Sequence, residues 1–238
     1  MDVQIIASSS KGNCYALRCD DSVLLLEAGI PVSKLRKKLP VGLSRVVACL
    51  VTHEHKDHAG YVQQYLDAGI PVHMSKGTRD AVGAGYVLLE TTKWYKKQCD
   101  ISIAGWRVLL FKTQHDAADP YGFIIDAPDR TRVVFAIDTY LLPYKIPGVN
   151  VWMLECNYDL QILKENIAAG MVDETQAKRI LQSHMSVDHV IAFLQMQDLL
   201  KTQAVYLLHG SERNLNKQAA VDKIRGVVAV PVYMEGVK

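Results

Sequence analysis

The chain has 238 residues, of which 49% are hydrophobic and 22% are charged. This composition supports a buried core, and no Pro/Gly/Ser-rich linker, low-complexity tract or repeat divides the chain, so we predict one domain spanning residues 1–238. The formal net charge of +2 is close to neutral. Charge alone therefore neither indicates nor excludes a nucleic-acid partner.

The amino terminus and the cysteines predict a cytoplasmic protein. Residues 1–4 lack the basic-then-apolar pattern of a signal peptide, and no apolar run approaches the length of a membrane span. The five cysteines lie at positions 14, 19, 49, 99 and 156 and form no Cys-x-x-Cys pair. An odd number of cysteines without an export signal indicates reduced thiols.

The first half of the chain is predicted to be mostly strands. Residues 3–7, 14–18 and 23–27 alternate with polar turns and have the composition of strands. A short helix over 33–38 precedes an apolar run over 46–51, which is typical of a strand buried on both faces. Beyond this run, we predict helices over 61–68 and 76–84 and strands over 72–74, 101–103, 106–112, 121–127 and 131–137.

The second half is mainly helical after a strand over 151–155. Apolar residues recur three and four apart over 160–169 and 177–181, and Ser186 is a suitable N-cap for a helix over 187–200. A strand over 204–208, a helix over 214–225 and a strand over 228–233 complete the chain. Strands, then helices, then strand–helix–strand predict an α+β fold with two packed sheets and outer helices.

The most informative residues are the hexapeptide His-Glu-His-Lys-Asp-His at 53–58, which follows the apolar run over 46–51. Imidazole and carboxylate are the side chains that bind borderline divalent metals. Residues two apart on an extended backbone point the same way, so His53 and His55 can converge on one ion. Asp57 and His58 diverge in the following turn and suit a second ion. The alternative is a solvated polar loop that contains three histidines by chance.

Three further metal-binding types of side chain, His115, Asp138 and His209, each come at or just after the end of an apolar run. Alone, each is more often a surface residue or a turn former. Together with the hexapeptide they complete two sites, one with His53, His55 and His115 and the other with Asp57, His58 and His209, with Asp138 bridging both. The open positions left for water are typical of a catalytic site.

These seven residues, in this order and at these spacings, resemble the metallo-β-lactamase fold superfamily from residue 1 to about 216. Four phrases are similar to its YycJ-type branch of metal-dependent hydrolases and exonucleases: SSSKGNC at 8–14, HDA at 115–117, ECNYD at 155–159 and LHGSERN at 208–214. The resemblance implies a four-layer αβ/βα sandwich, with two mixed β-sheets flanked by helices and a two-metal site at one edge of the sheets.

Two phrases depart from the superfamily pattern. The early strand usually ends Asp-x-Gly, whereas here it ends Glu27-Ala28-Gly29, and the longer side chain is expected to shift the metal loop and alter metal affinity. Asp138 is followed by Thr139-Tyr140, where relatives often carry a glycine. The long arm of some tRNA-processing relatives is not apparent, which disfavours that particular substrate.

The resemblance also implies a catalytic histidine. Phosphodiesterase relatives share a histidine-containing phrase late in the chain, which Ser-His-Met-Ser at 183–186 matches here. We expect His184 to protonate the leaving alkoxide, with Glu155 holding its tautomer, and Asp57 to orient the nucleophile as well as bind metal. The alternative for His184 is an ordinary loop histidine. His73 and His189 match no phrase and are expected to be structural.

These observations predict a metal-dependent hydrolase, most simply a phosphodiesterase or nuclease using a hydroxide activated by two divalent ions. The imidazole-rich set favours zinc, with manganese or iron as alternatives. Other candidate functions are hydrolysis of a lactone, thioester or cyclic phosphodiester, metal binding without catalysis, and di-iron redox chemistry. The best-known iron-binding relatives in this superfamily carry a glutamate at the second ligand position, where this chain has a histidine. This difference argues against the redox function.

Two basic clusters complete the sequence features. One comprises Lys34, Arg36, Lys37 and Lys38, and the other comprises Lys93, Lys96 and Lys97 interleaved with Trp94 and Tyr95. Both are expected to be solvated faces. The second has the mixture of aromatic and basic side chains that can stack a base and contact phosphate.

Overall fold

The computed structural model describes residues 1–83 and 101–237. The second basic cluster, at 93–97, and Cys99 therefore lie outside the described residues. Within those residues, no helix has both the length and the apolar content needed to cross a membrane.

The described residues form twelve strands and eight α-helices. The strands are β1 Asp2–Ala7, β2 Cys14–Cys19, β3 Ser22–Leu26, β4 Val46–Leu50, β5 Val72–His73, β6 Ile101–Ile103, β7 Trp106–Lys112, β8 Tyr121–Asp126, β9 Arg132–Ala136, β10 Val151–Glu155, β11 Ala204–Leu208 and β12 Val232–Met234. The helices are α1 Val32–Lys38, α2 Lys56–Ala59, α3 Val62–Asp67, α4 Lys76–Val82, α5 Leu160–Ala168, α6 Glu174–Ser183, α7 Val187–Gln195 and α8 Lys217–Arg225.

The strands belong to two mixed sheets of five and seven strands, in agreement with the α+β class predicted from the sequence. The chain divides into two compact units. The first comprises Met1–Lys112 and Ala117–Thr131, and the second comprises Thr113–Asp116 and Arg132–Lys238. The organisation of residues 1–238 as one domain remains a prediction.

In the first unit, β1 to β5 lie in sequence order in their sheet. β1, β2 and β3 are antiparallel neighbours, whereas β3, β4 and β5 are parallel. Leu26, the last residue of β3, pairs with Leu50, the last residue of β4. Because parallel strands end at the same edge of a sheet, the segments that follow β3 and β4 emerge side by side. These segments are 27–29 and the hexapeptide at 53–58.

The core of the first unit packs against this sheet. It contains Ile6, Leu25, Leu35, Cys49 and Tyr65, each no more than 1% exposed. The same unit includes an antiparallel meander of β6, β7 and β8. The apolar run over 46–51, which the sequence predicted to be a buried strand, forms β4. The hexapeptide at 53–58 therefore begins just after a buried strand ends.

The second unit is built on four parallel strands in the order β12, β11, β10 and β9. All five residues of β10 are buried, as expected of a parallel strand covered on both faces. Ala136 of β9 pairs with Leu154, and Glu155 of β10 pairs with Leu208. The segments after β9, β10 and β11 therefore emerge at one edge, which brings Asp138, Glu155 and His209 to the same place in the fold.

Several element boundaries differ from those predicted. The helix predicted over 61–68 is α3, and a separate helical turn, α2, forms within the hexapeptide region because His58 and Ala59 donate their N–H groups to the carbonyl of His55. The helix predicted over 187–200 ends at Gln195. The side chain of Gln197 donates to the carbonyls of Phe193 and Tyr144, and these bonds accompany the departure of the chain from the helix.

Candidate metal centre

The hexapeptide brings its four predicted ligands together within the first unit. His53 Nε2 lies 3.1 Å from His55 Nδ1, and Asp57 Oδ2 lies 3.1 Å from His58 Nε2. The ring centroids of His53 and His58 are 4.2 Å apart. The predicted pairs, His53 with His55 and Asp57 with His58, are therefore each in contact.

Polar groups lie behind two of these imidazoles, those of His53 and His58. The hydroxyl of Thr52 lies 2.8 Å from Nδ1 of His53. Glu27 is fully buried, lies 3.6 Å from Nδ1 of His58, and accepts the backbone N–H of Thr52 at 3.4 Å. A carboxylate or hydroxyl on the far ring nitrogen is the usual support for a metal-binding histidine. Glu27 thus lies behind His58, beyond direct hydrogen-bond distance of its Nδ1.

A second cluster forms within the second unit around Asp138. Its Oδ1 lies 2.8 Å from His209 Nδ1 and 3.5 Å from His184 Nδ1, and its Oδ2 lies 3.6 Å from His115 Nε2. Ligand atoms of Asp138, Glu155, His184 and His209 all lie within 4.8 Å of one another. Two of the ligands predicted in this unit, His115 and His209, therefore meet on the carboxylate of the third, Asp138.

Glu155, which is fully buried, and His184, which is partly exposed, form a pair beside Asp138. His184 Nδ1 lies 2.6 Å from Glu155 Oε1, while Glu155 Oε2 accepts the backbone N–H groups of Thr139 and Met185. Burial opposes the charged imidazolium, but the adjacent carboxylates of Glu155 and Asp138 dominate and raise the pKa of His184 to about 9. Burial would raise the pKa of Glu155, yet His184 and His209 hold it below its ordinary value.

Three residues have left-handed backbone angles where strands end: Glu27 and His209 come immediately after β3 and β11, and Asp138 comes two residues after β9. The φ angles are 68° for Glu27, 49° for Asp138 and 53° for His209. Non-glycine residues in this region cost about 1–3 kcal/mol each and cluster at functional sites. The turn at His209 is supported by Asn157, whose side-chain amide donates to the His209 carbonyl at 2.9 Å. The fold thus maintains strained turns at two proposed ligands, Asp138 and His209, and at Glu27, which departs from the superfamily pattern.

The donor set fits borderline divalent cations. Ligands about 2.1 Å from a tetrahedral ion lie about 3.4 Å apart. The contacts His53–His55, Asp57–His58 and His115–Asp138 measure 3.1, 3.1 and 3.6 Å. Imidazole nitrogens and carboxylate oxygens are also the atoms that zinc and its neighbours in the first transition row prefer. Both clusters therefore have the chemistry and the spacing of metal ligands.

The sequence did not single out one buried residue of the first unit, Asn13. Its side chain contacts Asp57 and His58, whereas the phrase at 8–14 that contains it indicates only a resemblance to the YycJ-type branch. His73 and His189, which were expected to be structural, belong to neither cluster among the described residues. His73 lies in β5, and burial lowers its pKa. His189 packs edge-on against Tyr140 at 5.3 Å.

Comparison with known proteins identifies similar chains. A sequence model of the metallo-beta-lactamase superfamily matches residues 10–139. The chain is 28% identical over 229 residues to exodeoxyribonuclease YycJ of Bacillus anthracis, covering 91% of this chain and 84% of that protein. These matches confirm the resemblance to the superfamily and to its YycJ-type branch.

Solved structures share the fold. The metallo-beta-lactamase fold protein YhfI from Bacillus subtilis superposes with a TM-score of 0.71 at 15% identity, covering 98% of this chain and 95% of that chain. The short form of human tRNase Z has a TM-score of 0.59 at 14% identity, covering 90% of this chain and 93% of that chain. The fold predicted from the sequence is therefore confirmed.

Proposed function

The chain belongs to the metallo-beta-lactamase superfamily, and we propose from this membership that it is a metal-dependent phosphodiesterase, specifically a nuclease acting on DNA or RNA. The observation that carries the proposal is the 2.6 Å contact between His184 and the buried carboxylate of Glu155, beside Asp138. The names of two similar proteins, an exodeoxyribonuclease and a tRNase, support the same class of substrate. We place this activity in the cytoplasm.

Seven residues are proposed to hold two divalent ions, with zinc favoured and manganese or iron as alternatives. They are His53, His55, Asp57, His58, His115, Asp138 and His209. When bound, such ions supply a hydroxide nucleophile at neutral pH and positive charge for the non-bridging phosphate oxygens. The contacts within each cluster support this assignment, because each pairs imidazole with carboxylate at ligand spacing.

The protein's own groups carry the remaining roles. Asp57 accepts a hydrogen bond from the nucleophile and so fixes its direction of attack. His184 donates a proton to the leaving oxygen from Nε2, since its Nδ1 faces Glu155. The side chain of His184 is 16% exposed whereas Glu155 is fully buried, so the histidine is the member of the pair that a substrate can reach. A positioned acid of this kind contributes about 10²–10⁴-fold to a rate.

A phosphodiester suits this pair because its leaving group is a poor one. A sugar alkoxide is strongly basic and leaves readily only when it is protonated as the bond breaks. Glu155 keeps an imidazole proton available for this transfer and fixes its tautomer, as a carboxylate behind a catalytic histidine does in other hydrolases. The pair is therefore better matched to nucleotide cleavage than to metal binding alone.

The proposal predicts that removing metal abolishes hydrolysis and that restoring it recovers activity. The purified protein would be stripped with a chelator and refilled separately with zinc, manganese or iron. Its activity would be measured on labelled single- and double-stranded oligonucleotides, bis-p-nitrophenyl phosphate and lactones. We expect metal-dependent cleavage of an oligonucleotide. Cleavage of lactones alone, or nuclease activity that survives complete metal removal, would contradict the proposal.

A further inference from the structure

We propose that Asn13 is a positioning residue that holds the metal ligands Asp57 and His58 in their binding orientation. The inference rests on the metal centre of the proposed function. Asn13 is fully buried at the end of the loop between β1 and β2, and it lies 44 residues from Asp57 along the chain. It is not itself one of the seven proposed ligands.

The orientation of the Asn13 carboxamide follows from its oxygen. Oδ1 accepts the backbone N–H of Ser9 at 3.1 Å and the hydroxyl of Tyr15 at 3.1 Å. A backbone N–H can only donate, so the atom that it contacts must be the oxygen of the amide. The hydroxyl of Tyr15 also contacts the hydroxyl of Ser8 at 2.9 Å, which holds the Tyr15 hydroxyl in place. The nitrogen of the amide must therefore face the hexapeptide.

The nitrogen Nδ2 contacts both metal ligands. It lies 3.2 Å from Asp57 Oδ2, 3.3 Å from the Asp57 carbonyl oxygen and 3.2 Å from His58 Nε2. An amide nitrogen carries two hydrogens and accepts none, so it can only donate toward these atoms. The hydrogen bond to Oδ2 fixes the plane of the Asp57 carboxylate. Nε2 of His58 has a single lone pair, which a bound metal ion would take from the amide, so at this ring Asn13 acts through packing that keeps Nε2 beside Asp57.

The backbone around Asn13 leaves its side chain little freedom. Asn13 donates its own N–H to the Asp57 carbonyl at 2.8 Å, and its carbonyl accepts the N–H of Gly29 at 3.0 Å. A Cβ atom on Gly29 would lie 1.7 Å from the Asp57 carbonyl oxygen, and one on Gly12 would lie 2.2 Å from the Gly29 oxygen. The segments that contain Gly12, Gly29 and Asp57 thus pack around one buried amide so closely that a Cβ atom on either glycine would clash with backbone. This packing makes Asn13 a fixed reference point for the two ligands.

Hydrogen bonds from outside a metal site set the affinity of its ligands, and losing one lowers metal affinity or activity about 10–100-fold. We therefore expect Asn13→Ala to lower the affinity for the ion held by Asp57 and His58 by about this factor. Zinc affinity would be measured by competition with a chromophoric chelator, and unfolding of the metal-free protein would be followed by circular dichroism.

Asn166→Ala is the matched control. Asn166 is also a buried amide, whose nitrogen donates to the Arg213 carbonyl and to Asn214 Oδ1 at 2.9 and 2.8 Å, away from both clusters. Both substitutions remove a buried, hydrogen-bonded carboxamide and should destabilise the metal-free protein. Only the change at Asn13 should raise a zinc dissociation constant. A purely structural role for Asn13 predicts instead that the two variants retain the same zinc affinity.

Asn13→Ser provides a second variant if the alanine variant does not fold, because its hydroxyl can accept the Ser9 N–H while the amide donor is lost. It should show the same selective loss of zinc affinity. Wild-type zinc affinity in the folded Asn13 variant, or an equal loss in the Asn166 variant, would overturn the inference and leave the proposed function standing. Failure of the wild-type protein to bind any metal would overturn both.

Discussion

Replacing His184 with alanine is expected to slow oligonucleotide hydrolysis about 10²–10⁴-fold while leaving the metal content unchanged. The histidine lies between Glu155 and Asp138, at 2.6 and 3.5 Å from their carboxylate oxygens, but it is not one of the seven proposed ligands. Its removal therefore takes away the proton donor and leaves the ligand set intact. Steady-state kinetics and metal analysis of the same preparation would measure both quantities.

The choice of substrate separates a proton donor from a binding group. A p-nitrophenolate leaves without assistance, so His184→Ala should affect bis-p-nitrophenyl phosphate much less than an oligonucleotide with an alkoxide leaving group. His189→Ala is a suitable control, because this histidine lies in the next helix and contacts Tyr140 instead of the cluster. We expect it to retain turnover on both substrates.

Two outcomes would refute this role for His184. Equal losses on the two substrates would indicate that the histidine binds or orients the phosphate without transferring a proton. A fall in metal content would indicate that His184 is a ligand, as its position within 4.8 Å of ligand atoms of Asp138, Glu155 and His209 permits.

Replacing Asp57 with alanine is expected to lower both turnover and metal content. The carboxylate is a proposed ligand and is also proposed to orient the nucleophile. The loss of turnover should therefore exceed the factor of about 10–100 expected when a hydrogen bond outside a metal site is removed. Metal would be determined by elemental analysis after dialysis, and turnover would be measured with metal in excess. Restoring occupancy with excess metal should not restore the rate, because the group that orients the nucleophile is still missing.

Asp67→Ala is the matched control for this variant. Asp67 is a carboxylate of the same unit, at the end of α3, where it accepts a hydrogen bond from Gln63 at 2.8 Å. Its loss should alter neither metal content nor turnover. Normal activity of the Asp57 variant would rule out the two-metal scheme, because one ion would then be enough for catalysis.

The sequence predicts those site residues that lie just after the end of a buried strand. Apolar runs locate β4, β9 and β11 in the sequence. Within each sheet, parallel strands bring the segments after them to one edge, as β3 and β4 do in the first unit and β9, β10 and β11 do in the second. For this reason the sequence alone is enough to select Asp138 and His209 as candidate ligands. Glu155 was expected to hold the tautomer of His184; the two side chains lie 2.6 Å apart in the second unit, and the role of the pair remains a proposal.

Other features could not be predicted because they depend on contacts between distant segments. The helical turn α2 within the hexapeptide region is made by backbone hydrogen bonds to the His55 carbonyl, which leave no composition signal. The left-handed turns at Glu27 and Asp138 occur at residues other than the glycine that usually marks them. The orientation of Asn13 depends on Ser9 and Tyr15 on one side and Asp57 on the other, so its role emerges only when the loops are packed.

The most direct test is a crystal structure of the purified protein with anomalous data collected at the absorption edge of its bound metal. We expect two anomalous peaks about 3.5–4 Å apart, the usual spacing of a two-metal site. Their ligands should be His53, His55, Asp57, His58, His115, Asp138 and His209. A single peak, or a pair of ions that Asp138 or His209 does not bind, would contradict this account.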